Sequence, residues 1–346
     1  MPALQDKSRA PTPRQRKHWP SMRKAVVAGW IVAILLLAVL TGTVIHLGDV
    51  EHFAALLAAA QPGWLLVALT LQAATYASEA TIWYILLNLV GHRQPLDSLI
   101  PLSLAKLFTD QAIPTGGLSG NVMMVEVLTH RGVPAKSALS ALVTGIIVYF
   151  LAYLAMNLLA LTILWDYHVL SKLTIIGVMI LAAVALGLPV LLFSIERLGR
   201  PRFLDRLART RPVASALAAI SDAWPLIRRH PLHIGLAIGF QSLIFFLDGV
   251  SLWATLQAIG QTTSFMVPIA AFMVGSIAAS LGPFPLGLGG FEATCTSMLT
   301  LLGVPLEAAF TATFLLRGFT LWLPMLPGLW LARREIRRTE QGVAPQ

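Results

Sequence analysis

The stretch PFPLGLGGFE, residues 283–292, interrupts a strongly apolar region with two prolines and three glycines and ends in the carboxylate of Glu292. Breaking a helix at membrane depth frees backbone groups that lipid cannot satisfy, so such a break must be buried in protein or line a polar cavity. A second broken apolar region carries IPTGGLSG at residues 113–120. The sequence therefore predicts two interrupted helices on which the rest of the fold is arranged.

The composition is that of an integral membrane protein. Of 346 residues, 56% are hydrophobic and only 12% are charged, and the mean hydropathy is +0.74. This is more apolar surface than one soluble core hides. The single cysteine, Cys295, excludes an intramolecular disulfide and a multi-cysteine metal site, and we expect it to be a small apolar packing residue.

Six apolar stretches are long enough to cross about 30 Å of hydrocarbon at 1.5 Å per residue. They lie at residues 25–47, 63–90, 137–165, 173–195, 232–258 and 305–332. The two broken regions consist of half-length pieces, at 99–113 with 118–129 and at 266–281 with 289–302. Each pair can enter and leave the bilayer on one side. The predicted fold is an all-α polytopic membrane protein with six transmembrane helices and two re-entrant helical hairpins.

Positive charge predicts the orientation. Of 25 Lys and Arg residues, 7 precede residue 25, 8 lie between Arg197 and Arg229, and 4 lie between Arg333 and Arg338. Six crossings place all three groups on one side, which the positive-inside rule makes cytoplasmic. We expect a cell (inner) membrane protein with both termini in the cytoplasm. Its predicted parts are a basic tail (1–24), a membrane domain (25–332) with a cytoplasmic connector (196–230), and a second basic tail (333–346). Aromatic residues are not interleaved with these charges, so nucleic acid is not an expected partner.

The chain contains an internal repeat. At an offset of 171 residues Pro114 falls on Pro285, Gly116 on Gly287, and the triplet at 132–134 on that at 303–305. Prolines and glycines at one fixed spacing indicate a duplication, with copies at 63–165 and 232–332. Basic residues surround the first hairpin and are absent around the second, so the copies are predicted to be inverted. Inverted repeats with discontinuous helices are typical of alternating-access transporters.

These motifs resemble a known family. IPTGGLSG with RGVP at 131–134, and FPLGLGGFE with LLGVP at 301–305, are similar to the membrane domain of lysylphosphatidylglycerol synthases and of their free-standing, flippase-like relatives. Leu321-Trp322-Leu323-Pro324 after Arg317 also resembles the last helix of that domain. The resemblance implies a lipid flippase that acts on a phospholipid aminoacylated by a separate soluble domain, for which residues 1–346 offer no counterpart.

The first hairpin departs from the family pattern. An acidic residue and an arginine usually follow its glycines, whereas this chain continues with Asn121 and carries no charge before Glu126. The next helix often carries an arginine, whereas this chain has Thr144-Gly145-Ile146 there. It therefore stays open whether the two halves share one mechanism.

Ionisable residues within the membrane are the candidate site residues, because each costs roughly 2.5 to 3.5 kcal/mol on insertion scales unless paired or wetted. Glu292 falls on the first turn of a half-helix, where the helix dipole favours its charge. Arg317 lies within the last span, as its partner or as a ligand for lipid phosphate. A structural ion pair and a contact with substrate both stay open. The glycines of the breaks, which would let the backbone approach a headgroup, are Gly116, Gly117, Gly287, Gly289 and Gly290.

Glu79 and Asp248 occupy near-equivalent positions in the two halves, so they are expected to line one central cavity. Alternatively, each satisfies a neighbouring backbone group or retains a proton, with proton coupling as the functional version of that alternative. Lys106 and Asp110 are spaced i, i+4, which favours a local ion pair. Thr115 and Asn121 offer neutral hydrogen bonds near the first break, with helix capping as their ordinary role.

Enzyme chemistry is not expected. The sequence GLSG at 117–120 matches an intramembrane serine protease, but Ser119 would need a histidine as base. All eight histidines, from His18 to His233, fall in tails, loops or span ends. The zinc motif H-E-x-x-H and the nucleotide-binding P-loop are both missing from the sequence. No metal or cofactor is therefore predicted.

The predicted function is transport of a phospholipid or polyprenyl-phosphate lipid between leaflets. The alternative is a non-transporting membrane subunit that binds or positions lipid for a separate lipid-modifying synthase. The expected partners are membrane lipids with an anionic or polyprenyl-phosphate headgroup, and such a synthase and a homo-oligomer stay open. The sequence specifies neither the lipid nor the direction and energy source of transport.

Overall fold

The computed structural model describes residues 56, 58–112, 118–198, 223–281, 288–323, 327 and 330. Helix is the only regular secondary structure in that part of the chain. Its main elements are α1 (Pro62–Leu89), α2 (Leu96–Ala112), α3 (Leu118–His130), α4 (Ala135–Asp166), α5 (Lys172–Leu198), α6 (Pro231–Ala258), α7 (Met266–Leu281), α8 (Gly290–Leu301) and α9 (Leu306–Arg317), followed by a π-helical segment (Gly318–Trp322). The predicted span 25–47, both tails and most of the connector lie outside the described residues.

Three of these helices are long and apolar enough to cross a membrane, namely α1, α4 and α6. Helix α5 has 27 residues, and its Lys172–Gly187 stretch is also apolar. Large apolar side chains of α5, among them Leu173, Met179 and Leu186, are more than half exposed. An apolar face of this extent suits contact with lipid rather than water. The prediction of an all-α membrane protein is confirmed for the described part of the chain.

The two broken regions form pairs of short helices. Helices α2 and α3 have 17 and 13 residues, and α7 and α8 have 16 and 12. At 1.5 Å per residue these helices are about 18 to 26 Å long, shorter than the hydrocarbon core. Helix α2 packs on α3, and α7 packs on α8. Each pair is therefore a helical hairpin, and the segments between its arms, 113–117 and 282–287, lie outside the described residues.

The helix boundaries repeat at nearly the offset that the sequence shows. Helices α7, α8 and α9 begin 170, 172 and 171 residues after α2, α3 and α4, respectively, at Met266, Gly290 and Leu306 against Leu96, Leu118 and Ala135. The packing repeats as well. The contacts α1–α2, α2–α3, α3–α4 and α1–α4 recur as α6–α7, α7–α8, α8–α9 and α6–α9. The two halves are therefore built from the same arrangement of helices.

The turn after each hairpin is closed by the same hydrogen bonds. The N–H of Gly132 donates to Thr129 O and that of Val133 to Leu128 O, and the N–H groups of Gly303 and Val304 donate to Thr300 O and Leu299 O. Both glycines have positive φ, 85° and 96°. Since an L side chain is strained in this conformation, glycine is required at both positions. The two matching Gly-Val-Pro triplets, at 132–134 and 303–305, therefore follow α3 and α8 with the same turn.

The two halves meet along their first helices. Helices α1 and α6 form the most extensive helix contact in the described part of the chain. Helix α4 of the first half also packs on α6 and α7 of the second, and the π-helical segment packs on α1. Both hairpins consequently pack on the central pair of helices, α1 and α6.

Candidate functional site

A cavity of about 320 Å³ lies between the two halves. Its wall includes side chains from α1, α2, α6, α7 and α8 and from the end of α9. The ionisable and amide groups on this wall include Gln72, Tyr76, Glu79, Lys106, Asp248 and Arg317. A polar cavity between apolar helices costs free energy unless a polar ligand or water uses it, so it is the candidate site.

On the side of the second hairpin, Glu292 and Arg317 form a buried ion pair. The Nε–H of Arg317 donates to Oε1 of Glu292 at 2.5 Å. The other carboxylate oxygen, Oε2, accepts the backbone N–H of Gly289 at 2.7 Å. Glu292 is 2% exposed. Glu292 therefore connects the start of α8 to α9. It also caps the N-terminus of its own helix, α8.

The geometry at the second break depends on glycine and on an aromatic ring. Gly289 is the N-cap of α8 with φ 82°, a conformation that L side chains rarely adopt. Gly290 is the first residue of α8, and Phe291 is the second. The guanidinium carbon of Arg317 lies 4.5 Å from the centre of the Phe291 ring. This cation–π contact and the ion pair fix Arg317 at the wall of the cavity.

On the side of the first hairpin, Lys106 is the cation. Its Nζ lies 3.6 Å from Oδ2 of Asp110, the local pair that the i, i+4 spacing predicted. It also lies 3.3 Å from Oε1 of Glu79 on α1, a contact that the spacing did not reveal. The indole N–H of Trp83 donates to the same Glu79 oxygen at 3.1 Å. Lys106 thus ties the first hairpin to the central helix pair.

Asp110 also connects the two arms of the first hairpin. Its Oδ1 accepts the backbone N–H of Gly120, near the start of α3, at 2.7 Å. The hydroxyl of Ser119 donates to the carbonyl of Thr109 at 3.0 Å, which joins the same two arms. In each hairpin, one carboxylate therefore binds a backbone N–H near the start of the second arm and pairs with a cation that lines the cavity. The first half supplies both charges from α2, whereas the second uses α8 and α9.

Asp248 is in a different environment from the other carboxylates at the site. It lies on α6 at the cavity wall, where Oδ1 accepts the side-chain amide N–H of Gln72 at 2.9 Å. The same amide nitrogen contacts Ser251 Oγ at 3.2 Å. Among the described residues, no Lys, Arg or His lies within salt-bridge distance of Asp248. The structure thus places Glu79 and Asp248 on one cavity, and of these two carboxylates Glu79 alone forms an ion pair with the residues that the structure describes.

Other residues of the predicted site are not all described. Thr115, Gly116, Gly117 and Gly287 lie outside the described residues. Asn121 lies in the first turn of α3 and is partly buried.

Sequence reasoning missed Tyr76 and Ser103, whose side chains line the cavity. The available signal was spacing, because Tyr76 precedes Glu79 by three residues and Ser103 precedes Lys106 by three, which places each pair on one helix face.

The chain matches the family model described as the lysylphosphatidylglycerol synthase TM region over residues 27–328. This match covers most of the chain, and the protein belongs to that family. The resemblance to this family is therefore confirmed. Comparison with curated proteins gives no match. Family membership and the three apolar helices of spanning length define a membrane protein associated with the handling of lipids.

Proposed function

We propose that this protein transports a phospholipid or a polyprenyl-phosphate lipid between the two leaflets. The observation that carries the proposal is the cavity between the halves, to which each half contributes one cation, Lys106 or Arg317. A lipid phosphate needs cationic donors along its path, and a guanidinium or an ammonium supplies them. The lipid tails would stay in the bilayer while the headgroup passes through the cavity.

Inverted insertion of the two hairpins is part of the proposal. The repeated helix contacts and the identical helix ends at Gly132 and Gly303 support a duplicated unit. The basic residues around the first hairpin favour a cytoplasmic opening for it and the opposite opening for the second. Single cysteines at Ala135 and Thr262, both exposed, are expected to react with an impermeant label from opposite faces. Reaction of both from one face would contradict the inversion.

The experiment for the proposed function is leaflet exchange in proteoliposomes. Purified full-length protein is reconstituted with trace tail-labelled fluorescent phosphatidylglycerol, and dithionite added outside reduces only labels that reach the outer leaflet. We expect label from the inner leaflet to be reduced faster than in vesicles without protein. Tight lipid binding without exchange would instead support a subunit that positions lipid for a synthase. Conversion of the lipid, detected by mass spectrometry of the same vesicles, would indicate an enzyme.

A buried hydroxyl tests whether the cavity holds the headgroup. Ser103 is 2% exposed and lines the cavity, and its Oγ has no hydrogen-bond partner among the described residues. Because a buried unsatisfied group is costly, a headgroup oxygen is the expected partner. Ser103→Ala should weaken binding of short-chain phosphatidylglycerol about tenfold, the free energy of one hydrogen bond to a charged group. It should leave the free energy of unfolding unchanged or raise it.

Ser140 provides the matched control. It is 4% exposed, and its Oγ also lacks a hydrogen-bond partner among the described residues, but it is not on the wall of this cavity. Ser140→Ala makes the same chemical change on α4 and should leave lipid affinity as in the wild type. Equal effects of the two substitutions on affinity would show that the Ser103 hydroxyl has no contact with the headgroup.

A further inference from the structure

The carboxylates at and beside the cavity differ in whether a cation pairs with them. Glu79 and Asp110 share Lys106, and Glu292 pairs with Arg317. Asp248 receives only the neutral amide of Gln72, at 2.9 Å. A carboxylate at this depth is expensive unless it is paired, wetted or protonated. No ion pair to Asp248 is found among the described residues, which makes this carboxylate the candidate for a group that exchanges a proton with water in the cavity.

The ionisable groups around Asp248 come from α1, α2, α4 and α9, and α7, which also packs on α6, carries none. Those of α1, α2 and α9 that share the cavity are Tyr76, Glu79, Lys106 and Arg317, and those of α4 are Tyr149 and Tyr153. The two cations are already paired with Glu79, Asp110 and Glu292. The Tyr76 hydroxyl is buried and has no hydrogen-bond partner among the described residues. The groups beside Asp248 on this side of the cavity, Gln72 and Tyr76, are therefore neutral hydrogen-bonding groups.

The backbone around Asp248 favours a proton over a metal cation. Sodium sites in transporters use carbonyl groups of unwound helices. Helix α6 runs from Pro231 to Ala258 without interruption, so its carbonyls near Asp248 belong to helical hydrogen bonds. The group that contacts Oδ1 is a donor, the amide of Gln72, which cannot coordinate a cation through its N–H. A proton bound to the carboxylate needs no carbonyl ligands.

We propose that Asp248 is the proton-coupling site of this protein, which carries one proton through the central cavity in each cycle of lipid movement. The carboxylate takes a proton from water when the cavity is open to one face, and an O–H bond forms. That bond breaks and the proton returns to water when the cavity opens to the other face. No other bond changes. This inference rests on the proposed lipid transport, because a coupled proton requires a transported partner.

Proteoliposomes with pyranine inside and fluorescent phosphatidylglycerol in the membrane test the coupling. A pH gradient is imposed, and potassium with valinomycin holds the membrane potential at zero. For the wild type we expect the rate of leaflet exchange to change with the gradient and to reverse its response when the gradient is reversed. The pyranine signal should report proton movement that depends on the presence of the labelled lipid.

Two substitutions at Asp248 separate titration from packing. Asp248→Asn keeps an oxygen that accepts from Gln72 but cannot carry the proton, so the ratio of rates with and without the gradient should fall to one. Asp248→Glu keeps a titratable carboxyl and should restore the gradient response. The control is Asp97→Asn, at the exposed start of α2, where the side chain accepts the N–H of Ser98. It should retain the wild-type ratio.

The outcomes distinguish this inference from the proposed function. Wild-type exchange that ignores the pH gradient, or an Asp248→Asn variant that still responds to it, would overturn the proton site and leave lipid transport standing. A response to a sodium gradient in place of the pH gradient would also overturn it. If the wild type exchanges no lipid under any gradient, the proposed transport itself fails, and the coupling fails with it.

Discussion

Replacing Arg317 by methionine is expected to destabilise the protein by about 3 to 5 kcal/mol, because it leaves the carboxylate of Glu292 buried without its cation. Glu292 is 2% exposed, and the Arg317 side chain is 13% exposed, so water replaces little of the lost interaction. The measurement is the free energy of unfolding in detergent micelles. The same variant should lose leaflet exchange by at least about tenfold, since one charge-assisted contact with phosphate is removed.

The double variant Glu292→Gln with Arg317→Met distinguishes a structural role of the ion pair from a role of Arg317 in binding lipid phosphate. A glutamine oxygen can still accept the N–H of Gly289, which Glu292 now accepts at 2.7 Å, and no charge is left buried. Stability should therefore recover most of the loss, as expected for coupled neighbours. Lipid exchange should stay low, because the phosphate has lost its arginine. A double variant that exchanges lipid at the wild-type rate would show that the ion pair is purely structural.

Gly120→Ala is expected to disrupt the first hairpin at a cost of about 3 kcal/mol or more. A Cβ atom at this position would lie 2.6 Å from Cγ and Oδ2 of Asp110, and it would also meet the backbone carbonyl of Lys106. Overpacking of this kind costs about 1 to 3 kcal/mol. Moving Asp110 away also breaks its 2.7 Å hydrogen bond to the Gly120 N–H, a charge-assisted bond worth about 1.5 to 3 kcal/mol.

Gly290→Ala is the matched control for this prediction, at the start of the second arm of the other hairpin. Its Cβ would lie 3.6 Å from the carbonyl oxygen of Ala278, an ordinary contact. The free energy of unfolding should change by less than about 0.5 kcal/mol. Equal destabilisation by the two substitutions would mean that close approach at Gly120 does not hold the first hairpin together.

The helices of the described part were largely predictable from the sequence. The expected bounds of α1 to α8 lie within three residues of those in the structure; α7, for example, was expected at 266–281 and spans Met266–Leu281. The physical reason is that bilayer thickness sets the length of an apolar helix. Prolines and glycines then set where it stops. The offset of 171 residues also predicted the paired helix ends at Gly132 and Gly303.

The site was predictable where local spacing or the internal repeat carried the information; the repeat, for example, predicted that Glu79 and Asp248 line one cavity. Glu292 was recognised because it falls on the first turn of a half-helix. The Lys106–Asp110 pair follows from its spacing, but the 3.3 Å contact of Lys106 with Glu79 depends on how α1 and α2 are rotated about their axes. That rotation is set by packing between helices, and an i, i+4 rule carries no information about it. That Asp248 forms no ion pair with the described residues depends on the same rotation.

The two hairpins are attached to their surroundings at different places. The Glu292–Arg317 pair joins α8 of the second hairpin to α9, whereas the Lys106–Glu79 pair joins α2 of the first hairpin to α1. Movement of the second hairpin relative to α9 would therefore separate one ion pair, and movement of the first hairpin relative to α1 would separate a different one, even though the helices of the two halves match. In the alternating cycle that the proposed transport requires, we expect the two orientations to differ in free energy and therefore in occupancy even without lipid.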